Sequence, residues 1–295
     1  MPVIEVEGRR LTLSNLEKVI YPGGTTKGEL LHYYAANAGA LLPHLRDRPL
    51  SLLRYPDGPR GQVFFTKNVP PGTPGWVNTC MVPHSDGSTT AQILVQDAPS
   101  LVWAANLVVE LHTPQWPCRS PGEADRLVLD LDPGPPAGIV ECCEVAMWLR
   151  EVLAADGLHA YPKTSGAKGL HLLVPLEPAG SREVTEYARA LAVRAARELP
   201  GLAIATMTRR LRPGKVFIDF SQNARAKTTA APYTARARAS PVVSTPVTWE
   251  EIGRCENPEQ LRFEIEHVAA RLEAHGDLLA GLLDRERARP LPAPR

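Results

Sequence analysis

The stretch Leu127-Val128-Leu129-Asp130-Leu131-Asp132-Pro133 carries leucine at every second position and two aspartates among the last of them. Successive side chains on a strand point to opposite faces. Asp130 and Asp132 therefore share one face, and Leu127, Leu129 and Leu131 share the other, which belongs in a core. Two carboxylates two residues apart at a strand end can hold one or two divalent cations with hard oxygen ligands. Asp-Pro is also ordinary turn chemistry, which accounts for Asp132 but leaves Asp130 unexplained. Pro133-Gly134-Pro135-Pro136 ends the strand.

A third acid lies downstream, in Val216-Phe217-Ile218-Asp219-Phe220. A lone carboxylate in a buried strand is costly unless it is paired or ligates a metal. If this strand neighbours 126–132, three carboxylates converge, which is the arrangement two-metal phosphoryl transfer requires. The competing explanation is a salt bridge to Arg209, Arg210 or Arg212. Between the two acidic strands stands Ser165-Gly166-Ala167-Lys168-Gly169-Leu170-His171. Its glycines allow tight curvature and close approach of an anion to backbone N–H groups. A hydroxyl, a point charge and a ring donor around such a turn suit phosphate oxygens, although the order is not that of a Walker A loop. A plain glycine turn between two strands is the alternative.

Around these segments the pattern mixes strands and helices. Residues 3–7 and 10–13 suggest a hairpin about Gly8. Ser14-Asn15-Leu16-Glu17 and Thr26-Lys27-Gly28-Glu29 match capping boxes, the second opening a helix to about residue 40. Strands are expected at 50–55, 62–67, 160–164, 170–175 and 215–221. Helices are expected at 97–111, 139–155 and 181–199, with capped helices from Thr248 and Asn257. On the strand 62–67, Phe64 and Phe65 face opposite ways, so one can pack inward while the other offers a face to a base. His112 falls at the end of the helix 97–111, where an imidazole favours the helix dipole.

Composition excludes several classes. The chain has 295 residues, 44% hydrophobic and 22% charged, which suits a folded globular protein and not a disordered, collagen-like or multi-span membrane chain. There are 29 prolines, roughly double the usual share of about 5%. Net charge is only +1, but residues 209–238 hold eight basic residues against Asp219, and 250–286 hold ten acids against four arginines. A basic segment of this kind favours a polyanion. Five cysteines without a CxxC pair suggest neither a disulfide framework nor a zinc site. Cys142 and Cys143 fit core packing on a helix. A reduced, cytoplasmic protein is expected.

Taken in order, Leu-Asp-Leu-Asp-Pro, Ser-Gly-x-Lys-Gly-x-His and Phe-Ile-Asp-Phe-Ser-Gln-Asn resemble the archaeo-eukaryotic primase superfamily. Within it they are most similar to the polymerase domains of bacterial ATP-dependent DNA ligase D and stand-alone relatives. Supporting stretches are 13–22, 53–58, 64–67, 110–112 and 226–233. The resemblance implies an α+β primase-polymerase fold, with an RNA-recognition-motif-like catalytic sheet and a second α/β lobe. One two-lobed domain over 1–288 and a loose Pro-rich tail at 289–295 are expected. The activity implied is a DNA-directed nucleotidyl transfer that extends 3′ ends at breaks and short gaps in non-homologous end joining and prefers ribonucleotides. Primer synthesis de novo and a silent DNA-end-binding module are the rivals. Carried over position by position, Asp130, Asp132 and Asp219 match the metal-binding catalytic triad, holding two divalent cations, manganese in preference to magnesium. Ser165, Lys168, His171 and Arg236 match triphosphate contacts, with Gln222 a weaker match for nucleotide binding. Phe64 or Phe65 matches the residue stacked on the incoming base, and His112 a residue near the sugar. Lys18 and Lys27 match the grip on a downstream 5′-phosphate, while Arg54, Lys67, Arg212, Lys227 and Arg238 match DNA contacts. The partners implied are DNA ends, gapped DNA with a 5′-phosphate, nucleoside triphosphates, Ku and an ATP-dependent DNA ligase. The location implied is the cytoplasm, on the nucleoid when bound to DNA.

Overall fold

The computed structural model describes residues 2–292. Its first half contains β1 (Val3–Val6), β2 (Arg9–Thr12), α1 (Lys27–Ala36), α2 (Ala38–Leu45), β3 (Ser51–Arg54), β4 (Phe64–Thr66), β5 (Thr79–Pro83), β6 (Thr89–Ile93), α3 (Ala98–Ala105) and β7 (Val109–Thr113). There follow β8 (Glu123–Pro133), α4 (Ile139–Ala155), β9 (Tyr161–Thr164), β10 (Leu170–Gly180), α5 (Ser181–Glu198), β11 (Ala203–Ile204) and β12 (Val216–Asp219). The chain ends with β13 (Thr229–Ala230), α6 (Trp249–Gly253), α7 (Ile265–His275) and α8 (Ala280–Leu283). These elements form two units, one built from the chain up to Pro121 with Thr229–Ser244 and Phe263–Gly276, the other from the remainder.

The second unit carries the acidic strands. Its sheet runs β11-β12-β8-β10-β9 and is antiparallel except where β11 meets β12. Along the chain β8, α4, β9, β10, α5 and β12 make a βαββαβ unit with the strands in the order fourth, first, third, second. This is the RNA-recognition-motif-like sheet expected. α4 and α5 pack on it, each with buried residues spaced by three and four, such as Cys142, Val145, Ala146 and Leu149 on α4. Leu127, Leu129 and Leu131 are fully buried as expected, and the Cys142 thiol lies on the Leu131 carbonyl. The opposite face of the sheet is sealed at one end by Leu279 and Leu282, packed on Val128, Tyr161 and Leu173. At the other end of that face Asp132 is exposed. Gly169 lies so tightly against β8 that a Cβ there would collide with the Leu131 carbonyl.

The first unit centres on a sheet β13-β7-β3-β4. Leu52, Val109 and Leu111 pack there with Leu30, Tyr34 and Leu101 of the helices. Tyrosine hydroxyls tie the helices to the sheet and to the turn after β13: Tyr34 donates to the Val109 carbonyl (3.1 Å) and Tyr33 to the Tyr233 carbonyl (2.7 Å). Burial of these rings pushes both phenols up from their ordinary value. Two hairpins, β1-β2 and β5-β6, complete the unit.

Several expectations are corrected. The segment 97–111 is not one helix: α3 stops at Ala105, Val108 takes a left-handed φ of 57°, and 109–113 is a strand paired with β3. His112 therefore stands on a strand, not at a helix end. The capping-box pattern at 14–17 opens no helix, because Asn15 has φ 53° and Val19 bridges Thr26. The box at Thr26 does cap α1, which ends at Ala36 before α2 begins. Asn257 caps a short 3-10 turn, Pro258–Leu261, ahead of α7. Cys80 and Cys118 are joined by a disulfide, against the expectation of none, where the β5-β6 hairpin meets Trp116 in a small apolar cluster. Cys142, Cys143 and Cys255 are buried thiols. In the Pro-rich tail Arg289 is held, its carbonyl accepting from the Glu177 N–H (2.9 Å), while 293–295 lie outside the described residues. No described helix is long and apolar enough to cross a membrane.

Candidate active site

In the second unit the strand register brings the three aspartates together. Asp219 of β12 pairs directly with Asp130 of β8, and Asp132 follows two residues on, opposite Phe217. On the other side of β8, His171 of β10 pairs with Asp130, and Lys163 of β9 pairs with His171. One row across four strands thus reads Asp219, Asp130, His171, Lys163, all on one face. The arginine weighed as a partner for Asp219 meets Asp132 instead: the Arg212 guanidinium lies 3.7 Å from Asp132 and stacks over the Phe217 ring at 3.6 Å.

Each carboxylate leans on a protein partner. Asp219 accepts from the Ser221 N–H (3.0 Å) and hydroxyl (2.6 Å) and from the Gln222 amide (2.8 Å). Asp130 Oδ1 stands 3.3 Å from His171 Nε2. As the side chains stand, no group of three or more His, Cys, Asp or Glu among the described residues is gathered for a metal ion. Each carboxylate instead lies against a neighbouring polar group: Ser221 and Gln222 at Asp219, His171 at Asp130 and Arg212 at Asp132. Burial, Asp130 and Asp219 raise the Asp132 carboxyl above its ordinary range, outweighing Arg212 and Lys168. Three hard-oxygen donors in adjacent register, crowded by their own charge, fit divalent cations in donor chemistry and position. The triad is anchored from behind, since Asn223 replaces a strand partner by bonding both the N–H (2.8 Å) and the carbonyl (2.7 Å) of Val128.

The 165–169 turn closes the β9-β10 hairpin. The Ser165 hydroxyl accepts from the N–H groups of Ala167 and Gly169 (3.2 Å each) and so shapes the turn. Gly166 takes φ 66°, and Lys168 is exposed. Lys227 is exposed on the segment after the Phe220–Asn223 turn.

In the first unit Glu110, His112 and Arg236 form one buried knot. Glu110 Oε2 lies 2.9 Å from His112 Nε2 and accepts from Arg236 Nε (2.9 Å), while Oε1 accepts from the Ala237 N–H (2.6 Å). Burial would raise the Glu110 carboxyl, but His112, Arg236 and that N–H outweigh it and hold it at about 2. The register also separates the two phenylalanines. Phe65 pairs with Leu53 and Leu53 with Glu110, so Phe65 shares the face of Glu110 and His112. Phe64 and Arg54 lie on the face of Leu52 and Leu111. Phe65 is 57% exposed and Phe64 43%. Arg54 is thus not gathered with His112. Arg238 is exposed next to Arg236, and Lys67 is half-buried after β4.

Lys18 and Lys27 meet elsewhere in this unit, where the Lys27 N–H donates to the Lys18 carbonyl (2.8 Å). Lys18 Nζ pairs with Asp57 (2.5 Å), and the buried Lys27 Nζ donates to Ser14 Oγ (3.0 Å). Burial and the Lys18 charge bring Lys27 down to about 8.

The family model for the LigD primase-polymerase domain matches residues 26–279. The chain belongs to the LigD primase-polymerase family. It is a nucleotidyltransferase of that metal-dependent family, in the archaeo-eukaryotic primase superfamily. The multifunctional non-homologous end joining protein LigD of Mycolicibacterium smegmatis is 42% identical over 278 residues, 92% of this chain and 36% of that protein. The bifunctional LigD of Bacillus subtilis is 30% identical over 271 residues, 90% of this chain and 43% of that one. The chain therefore spans about two fifths of these relatives. The polymerase domain of Mycobacterium tuberculosis ligase D, solved in complex with DNA, is 40% identical with a TM-score of 0.88 and covers 93% of this chain and 98% of that domain.

Two residues escaped the sequence analysis as site residues. Glu110 looked like part of an apolar helix until the strand at 109–113 gave it a partner face. Lys163 lies outside the glycine-rich motif, yet a hairpin closed by 165–169 already sets it opposite His171.

Proposed function

We propose that this LigD-type polymerase adds nucleotides to DNA 3′ ends at breaks and short gaps during non-homologous end joining, with ribonucleotides preferred. The observation that carries the reading is the direct pairing of Asp219 with Asp130, with Asp132 on the same face. The likeness to a polymerase domain solved with DNA supports it. Bound at these carboxylates, two divalent cations, manganese in preference to magnesium, would lower the pKa of a primer 3′-hydroxyl and balance charge on leaving pyrophosphate. Gln222 and the Ser221 hydroxyl hold Asp219 in place for that task. Lys168, His171 and the Ser165 hydroxyl would bind triphosphate oxygens, and Arg236, oriented by Glu110, would do the same. Phe65 would stack on the incoming base, and His112 would favour a 2′-hydroxyl on its sugar.

Lys18 and Lys27 would grip the 5′-phosphate of the downstream strand, and Arg54, Lys67, Arg212, Lys227 and Arg238 the DNA backbone. Ku and an ATP-dependent DNA ligase are the partners this role requires, in the cytoplasm and on the nucleoid. Product analysis tests the reading. On gapped DNA with a 5′-phosphate, metal-dependent addition to the 3′ end is expected, faster with ribonucleotides, with release of pyrophosphate. Dinucleotides formed from free triphosphates would instead mark a primase. No addition under any condition would leave an end-binding module.

A further inference from the structure

Lys163 is fully buried, which is rare for lysine unless the ammonium has a task. It stands at the end of the row that begins with the catalytic aspartates. Its Nζ lies 3.0 Å from His171 Nδ1, and His171 Nε2 lies 3.3 Å from Asp130 Oδ1. A lysine ammonium has three donors and no acceptor. Facing an ammonium, His171 Nδ1 is the acceptor and the ring proton belongs on Nε2, which faces the acidic end of the sheet. The ring itself is buried, and the β9-β10 pairing fixes the spacing of the two side chains.

We infer that Lys163 is a positioning residue of the transfer site: by donating to His171 Nδ1 it locks the imidazole as the Nε2–H tautomer and aims that N–H at Asp130 and at the nucleotide phosphate that takes its place. This rests on the proposed role of His171 as a triphosphate contact. A ring with the opposite tautomer would present a lone pair to Asp130 and to the phosphate, and both contacts would become repulsive. Lys163 thus acts through His171 and touches neither nucleotide nor metal. An ordinary core-filling lysine would have no bearing on which ring nitrogen carries the proton.

The test is a long-range proton–nitrogen correlation spectrum of the metal-free, nucleotide-free protein labelled with 15N-histidine, with His171→Gln identifying the signals. Wild type is expected to show His171 with Nδ1 unprotonated and Nε2 protonated. Lys163→Met should lose that pattern, and Lys163→Arg, which keeps a donor, should retain it. A wild-type ring protonated on Nδ1, or on both nitrogens, would overturn the inference, and needs no variant to fold. So would a well-folded Lys163→Met with an unchanged ring. In single-nucleotide addition, Lys163→Met should raise the KM for the nucleoside triphosphate roughly tenfold at unchanged affinity for gapped DNA, a loss of one charge-assisted hydrogen bond, with Lys163→Arg restoring it. Unchanged KM would overturn the kinetic half of the inference. Absence of nucleotide addition by wild type would overturn the proposed function, while an Nε2–H ring lost in Lys163→Met would still support the hold of Lys163 on His171.

Discussion

Phe65 and Lys27 show how the backbone sets the surroundings of a single side chain. Both phenylalanines of β4 are exposed, but only Phe65 shares the face of His112. Stacking on a base is worth about 1–3 kcal/mol by alanine substitution. Phe65→Ala should therefore raise the KM for the incoming nucleotide roughly tenfold or more in single-nucleotide addition, and Phe64→Ala should change it little. Equal effects would mean that the face does not select the platform. Lys27 is a buried cation beside another cation, and its ammonium gives up a proton at about 8 rather than in the usual lysine range. An anion bound there favours the charged form. The preference for 5′-phosphorylated over unphosphorylated gapped DNA should therefore be full below pH 8 and fade as pH rises past it. Binding titrations at pH 7 and 9, at one salt concentration, check the sign, and Lys27→Met should abolish both the preference and its pH dependence. In the sequence each of these residues was visible as a type. The face of Phe65 and the burial of Lys27 were not, since both depend on pairing with distant strands and turns.

Strands and their registers explain most of what was and was not legible. The alternation in 127–132 named β8 and its core face correctly, because period-two burial is local. The pairing of β12 with β8 could only be stated as a condition, since register between strands some 90 residues apart is set by tertiary packing. The segment 97–111 misled because α3 and β7 are both largely buried, and after the Asp97 cap only Ser100, Asn106 and Glu110 are polar, too few to set a period. That error hid the knot in which Glu110 holds His112 and Arg236. The knot makes an acid-sensitivity prediction. Glu110 is held at about 2 against an ordinary 4.5, so the unfolded chain takes up its proton first as pH falls. Its stabilising contribution is whole above about 4.5 and is lost on descending towards 2. Urea midpoints of Glu110→Gln should fall below wild type at pH 7, and the gap should narrow between pH 5 and 2. A gap independent of pH would show that the carboxylate charge is not what the knot uses.

Across the molecule, a net charge of +1 conceals an uneven distribution along the chain: 209–238 is basic, 250–286 is acidic, and Asp130, Asp132 and Asp219 stand on two strands of one sheet. The α+β class, the βαββαβ sheet and the family were all legible, because they rest on ordered motifs and on local periodicity. The interleaving of two units from non-contiguous segments, and the Cys80–Cys118 link between a hairpin and the segment after β7, were not, since long-range contacts leave no local mark. A transfer site built on the three carboxylates requires Asp219, whose place beside Asp130 follows only from the strand register. The most direct measurement is the rate of single-nucleotide addition on gapped DNA by wild type and Asp219→Asn, with unfolding midpoint and DNA affinity measured in parallel. The variant should fold, bind DNA as wild type does, and lose addition by about a thousandfold or more, a loss of roughly 4 kcal/mol of transition-state stabilisation. Addition retained within tenfold of wild type would contradict a transfer site built on the three carboxylates.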